Sequence, residues 1–343
     1  NFLDINITNP LTPISSMKIL SLFDGISCAR VALERAGIPV EAYYSSEVDK
    51  YAMQISAKNY PNIVQLGSVV DIDCTGGKLH YGMGRLAETD IDLIVGGSPC
   101  QDLSIAKKDR KGLDGERSGL FWEYVRILKE VKPKYFILEN VNSMPKEAKQ
   151  LITETLGVEP IMINAMLVSA QSRKRLFWTN ISNIELPSDR EINLKDILQE
   201  NVDEKYFIKE PITQWRKIRN VSDNKSRTLT SSMWKGSQAD GMTNVVVGVG
   251  TIGNDGQGNR VYHMDGKSVT LSALGGGRGA KTGLYLMGDE RIRRLTPMEC
   301  ERLQCLPDNW TEGFSDTQRY KALGNAFNVD VVAHILKALP DNK

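Results

Sequence analysis

Cys100 stands just past an apolar run, Ile91 to Gly97, directly behind Pro99 and ahead of Gln101. Proline fixes the local backbone and withdraws one amide donor, a geometry that presents a thiol at a strand tip. A thiol reacts as its thiolate, and the segment downstream carries the positive charge that favours one, in Lys107, Lys108, Arg110 and Lys111. Glu139 follows Ile137-Leu138, so a partly desolvated carboxylate emerges at the same edge as Cys100 and suits proton donation. A nucleophilic sulfur beside such an acid fits attack on an electron-poor ring that must be protonated as it is attacked. In Gln171-Ser172-Arg173-Lys174-Arg175, extended backbone sends Arg173 and Arg175 to one face, where two guanidinium forks can hold a carbonyl oxygen or a phosphate. Each motif alone also has a plainer reading: a buried structural cysteine, a salt-bridged carboxylate, a solvated basic turn.

A second constellation points to a nucleotide-like ligand. The first strand runs into Phe23-Asp24-Gly25-Ile26-Ser27, a turn that brings backbone and a helix N-terminus to the sheet edge. It is neither GxGxxG nor GxxxxGK[ST], so a phosphate cradle for NAD or ATP is not supported. Glu47, about 20 residues on, falls where an acidic residue hydrogen-bonds ribose hydroxyls in a doubly wound fold. A plain strand-to-helix turn and a helix-capping carboxylate are the alternatives.

The elements that must position these residues alternate. Strands are expected over Lys18–Phe23, Ala42–Glu47, Ile63–Leu66, Ile91–Val95, Tyr135–Asn140, Glu159–Asn164 and Leu176–Thr179. Helices are expected over Ser27–Ala36, Lys50–Asn59, Gly119–Val131 and Lys146–Leu156. This rhythm predicts an α/β, doubly wound fold with a parallel sheet and ligands at the carboxyl ends of its strands. Residues 1–16 read as an extended leader, 17–185 as the first domain and 186–290 as a loop-rich, mostly β lobe. Residues 291–343 return to the first domain, with helices over Thr296–Leu303 and Asn328–Leu339, the former opened by a Thr cap with Pro297 and Glu299 behind it. Arg227-Thr228-Leu229-Thr230 and Ser268-Val269-Thr270-Leu271-Ser272 look alike, a similarity attributed first to chance.

The 343 residues are 41% hydrophobic and 25% charged, an ordinary globular composition large enough for one sizeable core and a smaller one. No apolar run approaches a membrane span, no basic-then-apolar signal pattern is read in these residues, and a cytoplasmic location is expected. Five cysteines without a CxxC pair and three histidines argue against zinc and against a disulfide framework. The net charge of +1 leaves room for a basic groove opposite an acidic face.

The order of these motifs resembles that of one family, the cytosine-C5 DNA methyltransferases, from Met17 to about residue 185 and again from Arg291 to Leu339. The resemblance rests on Leu22-Phe23-Asp24-Gly25, Glu47, Gly97-Ser98-Pro99-Cys100-Gln101, Glu139-Asn140-Val141, Gln171-x-Arg173-x-Arg175, Arg294-Leu295-Thr296-Pro297-x-Glu299-x-x-Arg302-Leu303-Gln304 and Gly324-Asn325-Ala326. It implies a Rossmann-like S-adenosylmethionine-dependent domain with a smaller target-recognition lobe at 186–290. It further implies DNA (cytosine-5-)-methyltransferase activity on a cytosine swung out of double-stranded DNA. Cys100 would attack C6, Glu139 would protonate N3 and Arg175 would hold O2, with Pro99, Gln101 and Arg173 beside them.

The cofactor, S-adenosyl-L-methionine, would meet Phe23, Asp24, Gly25, Glu47, Val48, Ser68, Val69, Leu120, Asn325 and Ala326. DNA would meet Ser104, Lys107, Arg110 and Lys111 on a loop that closes over the extruded base, and Arg227 and Arg278, with Lys235, in the lobe. The family usually has an aspartate where Ser68 follows Gly67, so adenine recognition would be weaker or borrowed from Asp71 or Asp73; Ala326 and Cys305 also replace the usual serine and glycine. A monomer without metal, serving DNA methylation or restriction-modification, is expected. The rivals are an RNA cytosine-5 methyltransferase, which usually carries Cys-Phe-Thr and a shorter lobe, and a catalytically silent DNA-binding relative.

Overall fold

The computed structural model describes residues 15–74, 78–81, 85–88, 90–98, 119–209, 211–215, 248–254, 256–273 and 278–340. The first half of the chain supplies β1 (Met17–Leu22), α1 (Cys28–Arg35), β2 (Val40–Ser46), α2 (Lys50–Asn59) and β3 (Val64–Gly67). A hairpin of β4 (Lys78–Tyr81) and β5 (Arg85–Glu88) leads to β6 (Leu93–Gly96), α3 (Leu120–Val131), β7 (Tyr135–Val141), α4 (Lys146–Leu156), β8 (Ile161–Asn164) and β9 (Lys174–Thr179).

Seven of these strands form one sheet in the order β3-β2-β1-β6-β7-β9-β8. Side chains alternate across it. Ile19, Leu93, Val95 and Ile137 pack with α1 on one face, while Leu20, Leu22, Ile94 and Leu138 pack with α3 and α4 on the other. Strand order reverses between β1 and β6, the crevice where doubly wound sheets bind ligands.

The sheet departs from the expected parallel arrangement at one edge. β1, β2, β3, β6 and β7 run parallel, but β9 is antiparallel to both β7 and β8. The short 165–173 connection explains this: a parallel return needs a crossover of about a dozen residues or more, and an antiparallel one does not.

The second half contributes β10 (Phe207–Ile208), β11 (Gln214–Trp215), β12 (Gly248–Thr251), β13 (Arg260–His263), β14 (Leu284–Leu286) and β15 (Ile292–Arg294), in the sheet order β10-β15-β14-β13-β12-β11. Val249, Ile252, Val261, Leu284 and Ile292 form its own small core. The chain then returns through α5 (Pro297–Leu303), α6 (Asp316–Asn325) and α7 (Val329–Leu336). Helix α5 begins at the expected cap: Thr296 Oγ1 accepts from Glu299 N at 3.2 Å and the Glu299 carboxylate accepts from Thr296 N at 2.8 Å. Both Glu299 oxygens also receive the Arg293 guanidinium, at 2.7 Å each, tying β15 to α5. Helix α7 ends at Leu336, short of the expected Leu339, and α6 had not been expected.

Candidate active site

The turn after β1 is held in a strained shape from below. Phe23 and Gly25 both have left-handed backbone, at φ 57° and 63°. Between them Asp24 is buried, and its carboxylate accepts from four hydroxyls: Ser21 at 2.5 Å, Tyr43 at 2.6 Å, Ser27 at 2.7 Å and Ser45 at 2.8 Å. Burial, with the Asp24 charge beside it, pushes the Tyr43 phenol well above its ordinary range, so this hydroxyl stays a donor. Asp24, expected as a cofactor contact, is thus on the wall of the site with its carboxylate spent inside the turn.

Glu47 joins this turn to α2. One oxygen accepts from Gly25 N at 2.8 Å and the other from Val48 N and Asp49 N, also at 2.8 Å. Asp49 caps α2 through Tyr51 N and Ala52 N and receives Lys321 of α6. Although partial burial works the other way, the hydrogen bonds from Lys321 and these amides hold Asp49 below the usual carboxylate range.

These groups open onto a cavity of about 330 Å³. Its wall contains Phe23, Asp24, Gly25, Glu47, Val48, Ser68, Val69, Leu120, Asn325 and Ala326, the ten residues assigned to the cofactor from sequence. Val48 is 71% exposed there, an apolar surface left for a ligand rather than for the core. Sequence reasoning missed Lys321 and Ala322 on the same wall, because α6 was not foreseen, and Phe327, which follows it. Ser68 caps the single turn that follows it, accepting from Val70 N at 3.3 Å. Neither Asp71 nor Asp73 lines the cavity, and Asp73 is engaged through its main chain with His80.

Glu139 and Arg175 meet at the other end of the cavity. The antiparallel pairing of β7 with β9 sets Val141 opposite Arg175, two residues along from Glu139. The ion pair between Arg175 Nε and Glu139 Oε1 is 2.7 Å long, with both side chains 15% exposed. The tip of β6 is pressed against it: a Cβ at Gly97 would stand 3.1 Å from Glu139 Oε2 and 2.9 Å from the Phe327 ring. Asn140 Nδ2 donates to Ser98 Oγ at 3.1 Å, fastening the same tip to β7.

Pro99, Cys100, Gln101, Ser104, Lys107, Arg110, Lys111 and Arg227 lie outside the described residues, as does Lys235. Arg278 is described and exposed, away from the cavity wall. The other four cysteines are unsuited to nucleophilic work. Burial pushes Cys28 and Cys300 far above the ordinary thiol value, Cys74 up to about 12 and Cys305 up to about 11.

Arg173 differs from its expected role. It borders the cavity beside Arg175, but its guanidinium donates to the main-chain oxygens of Leu271 at 3.3 Å, Gly324 at 3.2 Å and Ala326 at 3.0 Å. It is engaged with the protein's own backbone, and Arg175 is the arginine beside the acid.

Comparison with known proteins gives a consistent result. The model of the family described as C-5 cytosine-specific DNA methylase matches residues 17–341. The type II methyltransferase M.HhaI of Haemophilus parahaemolyticus is 30% identical over 340 residues, covering 94% of this chain and 94% of that protein. The orphan methyltransferase M.SPRI of Bacillus phage SPR is 27% identical over 443 residues, covering 95% and 98%. Among solved structures, the Entamoeba histolytica methyltransferase EhMeth superposes with a TM-score of 0.65 at 17% identity, over 96% of this chain and 99% of that one, a likeness of fold.

Proposed function

Because the chain belongs to the C-5 cytosine-specific DNA methylase family, we propose that its cavity holds S-adenosylmethionine and that Cys100, Glu139 and Arg175 act together on a cytosine drawn from duplex DNA. The chain is a DNA cytosine methyltransferase. The main support for these residue roles is the Glu139–Arg175 pair, 2.7 Å apart and bordering the same cavity as Glu47.

The cavity suits the cofactor chemically. Glu47 offers a carboxylate already braced by three amides for a pair of sugar hydroxyls, and Val48, Val69 and Phe23 offer apolar surface for a planar base. Bound there, S-adenosylmethionine supplies an electrophilic methyl group for C5 of the ring.

The chain's own groups prepare that carbon. The Cys100 thiolate forms a bond to C6, and the electron pair displaced from the C5–C6 double bond moves toward N3 and the carbonyl. Glu139, once it has taken up a proton from solvent, donates it at N3 as this charge develops, and Arg175, held beside it at 2.7 Å, donates to O2. With N3 protonated, C5 becomes the nucleophilic position. After methylation, water takes the C5 proton, the C5–C6 double bond re-forms as Cys100 leaves as a thiolate, and the N3 proton returns to Glu139, which restores the aromatic ring and the enzyme. Phe327 and Gly97 close the floor behind Glu139 and keep bulk water from the acid.

Double-stranded DNA is the substrate in this reading, met by the six-stranded lobe through Arg278 and by Arg227, Lys107, Arg110 and Lys111. A duplex carrying 5-fluorocytosine tests it, because fluorine at C5 cannot leave as a proton. The unsubstituted chain with S-adenosylmethionine is expected to form a covalent adduct that survives denaturing electrophoresis, and Cys100→Ser to form none. No adduct from the unsubstituted chain on long substituted DNA would overturn the reading.

A further inference from the structure

The segment that leads into Arg175 is sewn to the six-stranded lobe. Ser268 N donates to Ala170 O at 2.7 Å, Ser172 N to Ser268 O at 3.0 Å, and Thr270 Oγ1 to Ser172 O at 2.6 Å. Where this seam ends, Arg173 is 3% exposed, and its guanidinium spans two separate segments. One is Leu271, in the connection between β13 and β14; the other is Gly324 and Ala326, which bracket Asn325 on the cavity wall. The two segments also touch directly. A Cβ at Gly324 would stand 2.3 Å from Ala273 N and 2.7 Å from Ala273 Cα, so main chain lies against main chain where only glycine fits.

A rigid fork holding three carbonyls makes one joint of three parts: the lobe, the cavity wall and the strand that bears Arg175. The lobe segment 268–273 cannot shift without carrying Asn325 or breaking those bonds. We propose that Arg173 is a positioning residue which couples DNA seated on the six-stranded lobe to the cofactor held at Asn325, with Gly324 as the contact that makes the joint tight. A ligand on either side orders the shared carbonyls, and the second ligand then meets a wall already ordered, which is positive coupling without a large displacement. Thermodynamic reciprocity requires DNA to tighten cofactor binding by the same factor as cofactor tightens DNA binding. This inference rests on the proposed assignment of the cavity to S-adenosylmethionine and of the lobe to DNA.

Equilibrium dialysis of radiolabelled S-adenosylhomocysteine, with and without excess long genomic DNA, tests it without relying on turnover. The unsubstituted chain is expected to bind the probe more tightly in the presence of DNA, by a factor in the range of roughly 5 to 150. Arg173→Lys keeps the charge but cannot fork to three carbonyls, and Gly324→Ala wedges the two main chains apart. In both, the factor, read against each variant's own DNA-free binding, is expected to fall to about one, the signature of a lost coupling rather than a lost site. A factor that persists in either variant overturns the inference, as does a factor of one in the unsubstituted chain. Loss of DNA-free binding in both variants also overturns it, because Arg173 would then be part of the fold and not a joint. If the unsubstituted chain binds no probe at all, the cofactor assignment itself falls and the inference with it.

Discussion

Glu139→Gln separates the acid from its scaffold. Glutamine has the same shape, and its carbonyl oxygen can still accept from Arg175 Nε across the 2.7 Å contact, so the arginine keeps its place. The side chain would also still fit against Gly97, where an added Cβ would come within 3.1 Å of the carboxylate. Two losses follow: the contact keeps the arginine's charge but loses the carboxylate's, and the proton for N3 is gone. The first costs about 1 kcal/mol, of the order of a single hydrogen bond. In a chain of this size that is a melting shift of roughly 1–2 °C. The second removes a general acid, worth roughly 10²- to 10⁴-fold in rate, or about 2.7–5.5 kcal/mol of barrier. Single-turnover transfer of tritiated methyl from S-adenosylmethionine to DNA, with enzyme in excess, reads the rate, and thermal unfolding reads the stability. A variant whose rate falls less than about tenfold, or whose melting point drops by more than about 10 °C, would show that Glu139 is mainly structural and refute the reasoning.

Three further outcomes follow from the same structure. Glu299→Ala strands the Arg293 guanidinium, 3% exposed, without its bidentate partner; the expected loss is about 3–5 kcal/mol, read as a lower urea midpoint. Gly97→Ala introduces a Cβ 2.9 Å from Phe327 and 3.1 Å from Glu139 Oε2. Displacing the acid by even part of an ångström should slow methyl transfer by roughly tenfold or more, with the melting point nearly unchanged. Burial pushes the Cys28 and Cys300 thiols far above the ordinary value of 9.0, and Cys305 up to about 11, so the folded chain keeps protons that unfolded thiols lose. Stability from these groups is fully present below about pH 8 and falls as pH rises past 9, which urea midpoints at about pH 8 and 10 should show.

What was legible in the sequence was the part governed by local rules. Helices α2 and α4 begin and end where the sequence places them, α2 behind the Asp49 cap and α4 between Pro145 and Gly157, whose φ of 70° stops it. Helix α6 escaped because only Tyr320 and Leu323 of its ten residues are buried, and Gly324 and Asn325 at its end read as loop. The direction of β9 escaped because alternation marks a strand without saying which way its neighbours run. At the site, residue type was readable and employment was not. Asp24 was visible beside a turn glycine, but the hydroxyls that occupy it come from positions 21, 27, 43 and 45, which only the sheet assembles. Arg173 and Arg175 do border one cavity, yet what Arg173 holds depends on segments some 100 to 150 residues away, while Arg175 meets Glu139 of a neighbouring strand.

That distance has a structural reason. The six-stranded lobe interrupts the main domain between β9 and α5, and the chain beyond it completes both the core and the cavity. Helix α7 packs on α1 with Val329, Val331, Val332, Ile335 and Leu336 all buried, and α6 leads into Asn325 and Ala326 on the wall. At about 1.5–3 kcal/mol for each large apolar side chain, the burial of α7 alone rivals the whole net stability of a domain. The cavity wall at Asn325 and Ala326 is therefore joined directly to a helix buried in the core. Its other attachment is to the lobe, through Arg173 and the glycine contact at 324. Under the proposed assignments, a wall fixed to the core on one side and to the six-stranded lobe on the other is placed to register both cofactor and DNA, which a wall built from the first domain alone would not be.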